Sequence, residues 1–189
     1  MKKVLFLVAV FVLLCCFSGL LPAFAEEFPT GEWAVTAEAA APLLQLNADG
    51  TALYDGAQYA WEDDGQFLLL KGDREEVLRL RYQLTERGPW IYKPMNYTRK
   101  EGTTGEGIRG VWNLDGSEMG FFEFSDKNTF LEDALFDGTY TVDYETGSFT
   151  LVYGKYLDDT VCYFTIDGDR MIVEYPWMLV EWKPAEQAP

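Results

Sequence analysis

The residues of this chain that could carry out chemistry are acids, aromatics and one cysteine, because the sequence holds no histidine. A hydrolytic triad needs a general base beside its nucleophile, and histidine is the usual base. Cys162, the only cysteine after residue 25, alternates with Phe164 and Ile166, which predicts an inward-facing and unreactive thiol. We therefore expect no catalytic residue, no zinc site and no cofactor.

Acidic residues number 31 against 15 lysines and arginines, which gives a formal net charge of −16. This charge disfavours nucleic acid and anionic lipid as partners. Paired carboxylates can hydrolyse glycosides, but no acid is set among aromatic residues at matched positions, so a carboxylate-based hydrolase is our third functional hypothesis. Three acidic runs could offer oxygen ligands to calcium, yet they lack the spacing of a known loop, and solvated hairpin turns explain them better. These runs are Glu62-Asp63-Asp64, Asp158-Asp159 and Asp167-Gly168-Asp169.

Aromatic side chains are the remaining candidates for a binding site, as a platform for a sugar or a peptide. Core and cross-strand packing explains them as well, since a β-protein without disulfides needs such contacts. Trp61, next to Glu62, and Trp177, after Pro176, are the two for which we predict exposure. The aromatic set comprises Tyr59, Trp61, Trp90, Tyr92, Trp177 and Trp182.

Residues 1–25 have the layout of a secretory signal peptide. Two lysines precede an apolar run over residues 4–21, and Ala23-Phe24-Ala25 forms the cleavage site. The alternatives are an uncleaved membrane anchor, since the run is long enough to span a bilayer, and lipid modification at Cys15 or Cys16. We expect cleavage after Ala25 and a secreted or extracytoplasmic protein that meets the membrane only through an uncleaved segment.

The rest of the chain reads as short antiparallel strands joined by hairpins. Asp-Gly, the dipeptide that suits a type I′ turn, occurs six times, and runs with period-2 alternation lie between these turns. Residues 74–84 are rich in helix formers, but Leu78, Leu80 and Leu84 alternate with polar residues, which predicts a strand. We expect no helix after residue 25, apart from a turn near residues 39–41.

An ordered series of matching residues indicates an internal repeat of about 80 residues. We therefore divide the chain into copy 1 at 26–100, a glycine-rich linker at 101–109, copy 2 at 110–184 and a tail at 185–189. Each copy offers about eight short strands, which predicts two tandem small antiparallel meander barrels. The matches include Gly31-Glu32-Trp33 with Gly110-Val111-Trp112, Gly56 with Gly138, Gly65 with Gly147, Phe67 with Phe149, and Leu80 with Cys162.

The Gly-x-Trp opening at Trp33, the Asn-Ala-Asp-Gly-Thr turn at 47–51 and Tyr97-Thr98-Arg99-Lys100 in the last strand of copy 1 resemble the short bacterial lipocalin-like domains. Such domains occur on exported proteins, often in tandem. The resemblance implies that Trp33 packs against Arg99 and plugs one end of its barrel. In copy 2 it implies the same role for Trp112, with Trp182 or Lys183 at the arginine position.

Fold alone does not assign a function. Our first hypothesis is an exported, non-catalytic binding module for a cell-envelope component, a protein, a glycan or a small apolar molecule. The alternative is a structural spacer or inhibitor domain with no ligand. If the copies are independent, we expect Trp33→Ala to unfold copy 1 and spare copy 2.

Overall fold

A computed structural model describes residues 27–73, 76–103, 105–154 and 157–184. The expected signal peptide at 1–25 and the tail at 185–189 lie outside the described residues. Fifteen β-strands, and no helix, account for the regular secondary structure of the described part, which confirms the all-β prediction. No helix in that part is long and apolar enough to cross a membrane.

The strands follow one another along the chain with short connections. The first seven are β1 (Gly31–Ala34), β2 (Leu44–Leu46), β3 (Thr51–Tyr54), β4 (Ala57–Asp63), β5 (Phe67–Lys71), β6 (Val77–Thr85) and β7 (Gly88–Arg99). The others are β8 (Gly110–Leu114), β9 (Phe121–Phe124), β10 (Thr129–Glu132), β11 (Phe136–Asp143), β12 (Ser148–Val152), β13 (Thr160–Asp167), β14 (Arg170–Met178) and β15 (Val180–Glu181).

Local sequence explains the hairpins. Asp55 and Gly56 join β3 to β4 with φ angles of 49° and 81°, and a type I′ turn requires positive φ at both of these positions. The segment that is rich in helix formers contains a strand, β6, and its Leu80 is fully buried opposite Leu68. The alternation of β6 therefore outweighs its content of helix formers.

Strands β7 to β14 form a closed, eight-stranded antiparallel barrel. Each pairs with the next, and β14 returns to β7, where Arg170–Met178 lie opposite Thr98–Trp90 in antiparallel register. Closure leaves this part of the sheet without unpaired edges. Large apolar side chains fill the interior, which we call the barrel core: Tyr97, Ile108, Trp112, Phe122, Phe124, Phe130, Tyr140, Phe149, Leu151, Cys162, Phe164, Met171 and Val173.

The remaining strands continue the same sheet from the other end of β7. Gly88–Ile91 of β7 pair with β6, whereas Tyr97–Arg99 pair with β8. Beyond β6 the order runs from β5 to β1, and β15 pairs with β1. These strands enclose a second core: Phe28, Leu44, Leu46, Ala52, Tyr54, Leu68, Leu70, Leu80, Ile91 and Leu179.

The strand pairing within the β5–β6 and β12–β13 hairpins is offset by one residue from the repeat matches that the sequence predicts. Leu68 is opposite Leu80, as Phe149 is opposite Cys162. Phe67 is therefore not the counterpart of Phe149, because its ring points outward and lies under the guanidinium of Arg81, 4.6 Å from the ring centroid. A one-residue shift moves a side chain to the other face of a strand.

Candidate functional site

Strands β7 and β14 form a two-stranded ribbon at the junction of the two cores. One face of the ribbon is buried, because it supplies Tyr97 and Val173 to the barrel core and Ile91 to the second core. Successive side chains of a strand point to opposite faces. Trp90 and Tyr92 therefore project from the opposite face, where a solvent-facing strand would ordinarily carry polar residues.

This outer face carries a groove of about 600 Å³, which we call the central groove. Its volume falls in the range of about 300–1,000 Å³ that is usual for small-ligand sites. Its floor is aromatic and apolar, and its rim is polar and charged. The floor consists of Trp90, Tyr92, Val161, Tyr163 and Pro176, and the rim includes Gln83, Thr85, Glu86, Arg87, Asp158, Asp159 and Thr160.

Tyr92 is the fixed centre of the floor. Its side chain is buried although it lies on the outer face, and its ring meets that of Tyr163 edge to face at 5.3 Å. Its hydroxyl donates a hydrogen bond of 3.3 Å to Oε1 of Gln83. Burial raises the pKa of Tyr92, so the ring presents a neutral phenol to the groove.

Arg81 holds the Tyr163 end of the floor from β6. Its guanidinium lies 3.8 Å from the centroid of the Tyr163 ring, and its Nε bonds Oε2 of Glu174 at 3.0 Å. A guanidinium that is stacked on a ring and paired with a carboxylate has little freedom to rotate. The floor is therefore preorganised by contacts from three strands.

The rim carries more negative than positive charge. Glu86, Asp158 and Asp159 are exposed, and Arg87 is the basic residue among the lining side chains that the structure describes. Nη1 of Arg87 lies 3.4 Å from Oδ2 of Asp158, but both side chains are largely exposed, and such surface pairs are weak. The mouth of the groove therefore favours positively charged groups.

Trp61 and Trp177, the two tryptophans predicted to be exposed, are half-buried and pack against the second core. Nε1 of Trp61 donates to the carbonyl oxygen of Asn47 at 2.9 Å. Trp177 lies opposite Ile91 on the buried side of the ribbon, and Nζ of Lys93 is 5.1 Å from its ring centroid. The groove instead uses Trp90 and Tyr92, two other members of the aromatic set.

The expected plug involves a different pair of residues. Arg99 was expected to pack on Trp33, but its guanidinium lies 4.0 Å from the ring centroid of Trp112. Its Nη2 donates to the carbonyl oxygen of Gly107 at 3.1 Å, and its Nε bonds Oδ1 of Asp169 at 3.2 Å. The physical reason is that β7 extends into the barrel, where Arg99 lies directly opposite Trp112 on β8.

In the first acidic run, Asp63 and Asp64 accept backbone hydrogen bonds at the β4–β5 hairpin. Asp63 accepts hydrogen bonds from the backbone nitrogens of Phe28 and Gly65, each at 2.7 Å. Asp64 accepts one from the nitrogen of Phe67 at 2.7 Å. Among the described residues, no group of three or more acids and cysteines is placed to hold a metal ion.

One carboxyl group lies inside the barrel, at the edge of its core. The Tyr153 hydroxyl donates to Oε2 of Glu132 at 2.6 Å and lies 3.2 Å from the Tyr175 hydroxyl. Burial raises the pKa of Glu132. A glycosidase needs a second carboxylate across the scissile bond, whereas the partners described for Glu132 are phenols.

Comparisons with known proteins add no relative to this picture. No family model, no curated protein and no solved structure matches the chain. The functional argument therefore rests on the geometry and chemistry of the central groove.

Proposed function

We propose that this protein is an exported, non-catalytic binding module built from two small fused barrels, and that its ligand binds in the central groove. The observation that carries the proposal is the aromatic floor. Trp90 and Tyr92 lie on the outer face of the ribbon and line the groove, and neither belongs to the barrel core or the second core. Aromatic side chains that line an open cleft are typical of binding sites.

The pairing of β15 with β1 supports a second barrel. Only Leu179 separates β14 from β15, so β1 to β7 with β14 and β15 form a ring of strands around the second core. The barrel then closes on β7, the last strand of the first repeat, and the ring around the second core closes on β14 and β15, the last strands of the second repeat. In both rings the first-strand tryptophan donates to a carbonyl oxygen four residues earlier, Trp33 to Pro29 at 3.2 Å and Trp112 to Ile108 at 2.7 Å. This match supports the internal repeat.

A surface site agrees better with this architecture than a site inside a barrel. Trp112, Phe149 and Leu151 are at most 1% exposed, and small eight-stranded barrels have interiors that side chains can fill. The groove acids also favour binding over catalysis. Glu86, Asp158 and Asp159 are exposed at the rim, whereas a general acid is usually buried so that its pKa rises.

Native mass spectrometry of the full protein from its own host tests the proposal. We expect an added mass that denaturation removes, that Trp90→Ala abolishes, and that Phe136→Ala retains, because Phe136 is an exposed aromatic outside the groove. If the protein carries no added mass, and neither peptides nor oligosaccharides change its fluorescence in a way that depends on Trp90, the proposal is wrong. The same spectrum measures whether residues 1–25 are removed.

A further inference from the structure

We infer that the central groove takes a positively charged peptide segment, in which lysine or arginine side chains lie on the aromatic floor and pair with the acidic rim. This inference rests on the proposed function, because it names the ligand class of the same groove. Three properties of the site support it: the charge of the rim, the aromatic faces of the floor, and the hydrogen bonding of the ribbon.

The first argument is charge complementarity. Among the residues that the structure describes at the mouth of the groove, Glu86, Asp158 and Asp159 face one basic residue, Arg87. The whole chain has a formal net charge of −16. A negatively charged cleft on a negatively charged protein concentrates positively charged ligands and speeds their association. An anionic ligand would be repelled, and a neutral one could form no more than hydrogen bonds with these carboxylates, without charge pairing.

The second argument is the chemistry of the floor, because ring faces attract cations. This protein already stacks cations on rings at several places. Arg81 lies on Tyr163 at 3.8 Å, Arg99 on Trp112 at 4.0 Å and Lys93 on Trp177 at 5.1 Å. Among the described residues, no lysine or arginine lies over Trp90, which leaves its ring for a cation of the ligand.

The third argument concerns how a peptide would be held. The central part of β7 pairs with β14, and its two ends also pair with β6 and β8. A peptide that lies on the outer face of this ribbon meets its side chains, because the backbone hydrogen-bonding groups of a sheet point along its plane. Recognition through cationic side chains suits such a face. The groove volume of about 600 Å³ suits a few residues of an extended peptide better than the surface of a folded domain.

Titration of the full chain with hexalysine, monitored by tryptophan fluorescence at low salt, tests the inference. Hexaglutamate and cellohexaose are the comparison ligands. We expect hexalysine to bind, Trp90→Ala to abolish its signal, and its affinity to fall as salt is added.

The acidic rim is tested with a matched pair of double variants. We expect Asp158→Asn with Asp159→Asn to weaken hexalysine binding by up to about fivefold for each carboxylate, the upper limit for exposed ion pairs. The control is Asp126→Asn with Asp137→Asn, which removes the same charge at two exposed acids outside the groove. This control should leave the affinity within about a factor of two of the unmodified protein.

Each contrary outcome has a distinct meaning. If hexalysine fails to bind, the inference is overturned. It is also overturned if the two double variants weaken hexalysine binding equally, because only the overall charge of the protein would then matter. If cellohexaose binds in a manner that depends on Trp90 while hexalysine does not, the groove remains a ligand site and only the cationic ligand class is wrong. If no probe gives a signal that depends on Trp90, both the inference and the proposed function fail.

Discussion

Replacing Arg99 with alanine tests whether a cation stacked on a tryptophan stabilises the barrel. The Arg99 side chain is only 10% exposed, although it carries a full charge. Its guanidinium stacks on Trp112, and it donates to the carbonyl oxygens of Gly107 and Arg109. The carboxylate of Asp169 completes the set at 3.2 Å.

The magnitude follows from these contacts. A desolvated cation–π contact contributes about 2 kcal/mol. A hydrogen bond from a charged group contributes roughly 1.5–3 kcal/mol, and Arg99 makes two of them to backbone carbonyls. Contacts that share one side chain do not add fully, so we expect Arg99→Ala to lower the free energy of unfolding by about 3–5 kcal/mol.

Urea unfolding measures this loss, because a change of this size shifts the midpoint by about 2 M at an m-value of about 2 kcal/mol per molar. Arg99→Lys should fall between the two proteins, since lysine keeps the charge but loses the planar fork of donors. Arg79→Ala is the matched control. Its guanidinium also lies over a ring, that of Phe67 at 4.3 Å, but the side chain is 59% exposed, so we expect a loss below about 1 kcal/mol. Equal losses for Arg99→Ala and Arg79→Ala would refute this account of how Arg99 stabilises the barrel.

Three further predictions concern the interior. Because β7 and β14 line both cores, Leu44→Ala in the second core and Leu151→Ala in the barrel core should each lower one common urea transition by about 2–5 kcal/mol; two separate transitions would contradict this coupling. Cys162 is fully buried and burial raises its thiol pKa, so a thiol reagent should modify it only as the protein unfolds, and rapid modification of the native protein would argue against its burial. Because burial raises the folded-state pKa of Glu132 above its usual value of 4.5, ionising this carboxyl costs stability as the pH rises through 4.5. In urea titrations, the free energy of unfolding of Glu132→Gln minus that of the unmodified protein should therefore increase as the pH rises from below 4.5, and a difference that falls with pH would be inconsistent with the shift.

Features that depend on neighbouring residues could be predicted from the sequence. Asp55-Gly56 specifies a tight turn by its own φ preferences, and the alternation of β6 identifies its inward residues without reference to its partners. The same reasoning placed Cys162 inward. These signals are local, and they hold whichever strand lies alongside.

Features that depend on strands distant in the sequence could not be predicted in this way. The resemblance to lipocalin-like domains paired Arg99 with Trp33, yet its partner is set by the pairing of β7 with β8. Trp90, Ile91 and Tyr92 form one apolar run, and only the tertiary structure shows that Ile91 enters a core while the other two line a groove. The expectation that Trp33→Ala would spare the second repeat assumed independent copies, whereas the pairing of β7 with β14 over nine residue pairs argues for coupled unfolding.

The shared ribbon also explains why a groove exists at this position. On one side β6 turns away to enclose the second core, and on the other β13 turns away to enclose the barrel core, so the sheet between them is left open on its outer face. Side chains from all four strands line or brace that face, with Arg81 from β6 and Tyr163 from β13 in direct contact. A ligand that bridges the groove would therefore hold together the strands on which both cores depend. By linkage, such a ligand would raise the stability of the whole molecule in proportion to the logarithm of its concentration above the dissociation constant, so that binding and folding are coupled through the same two strands.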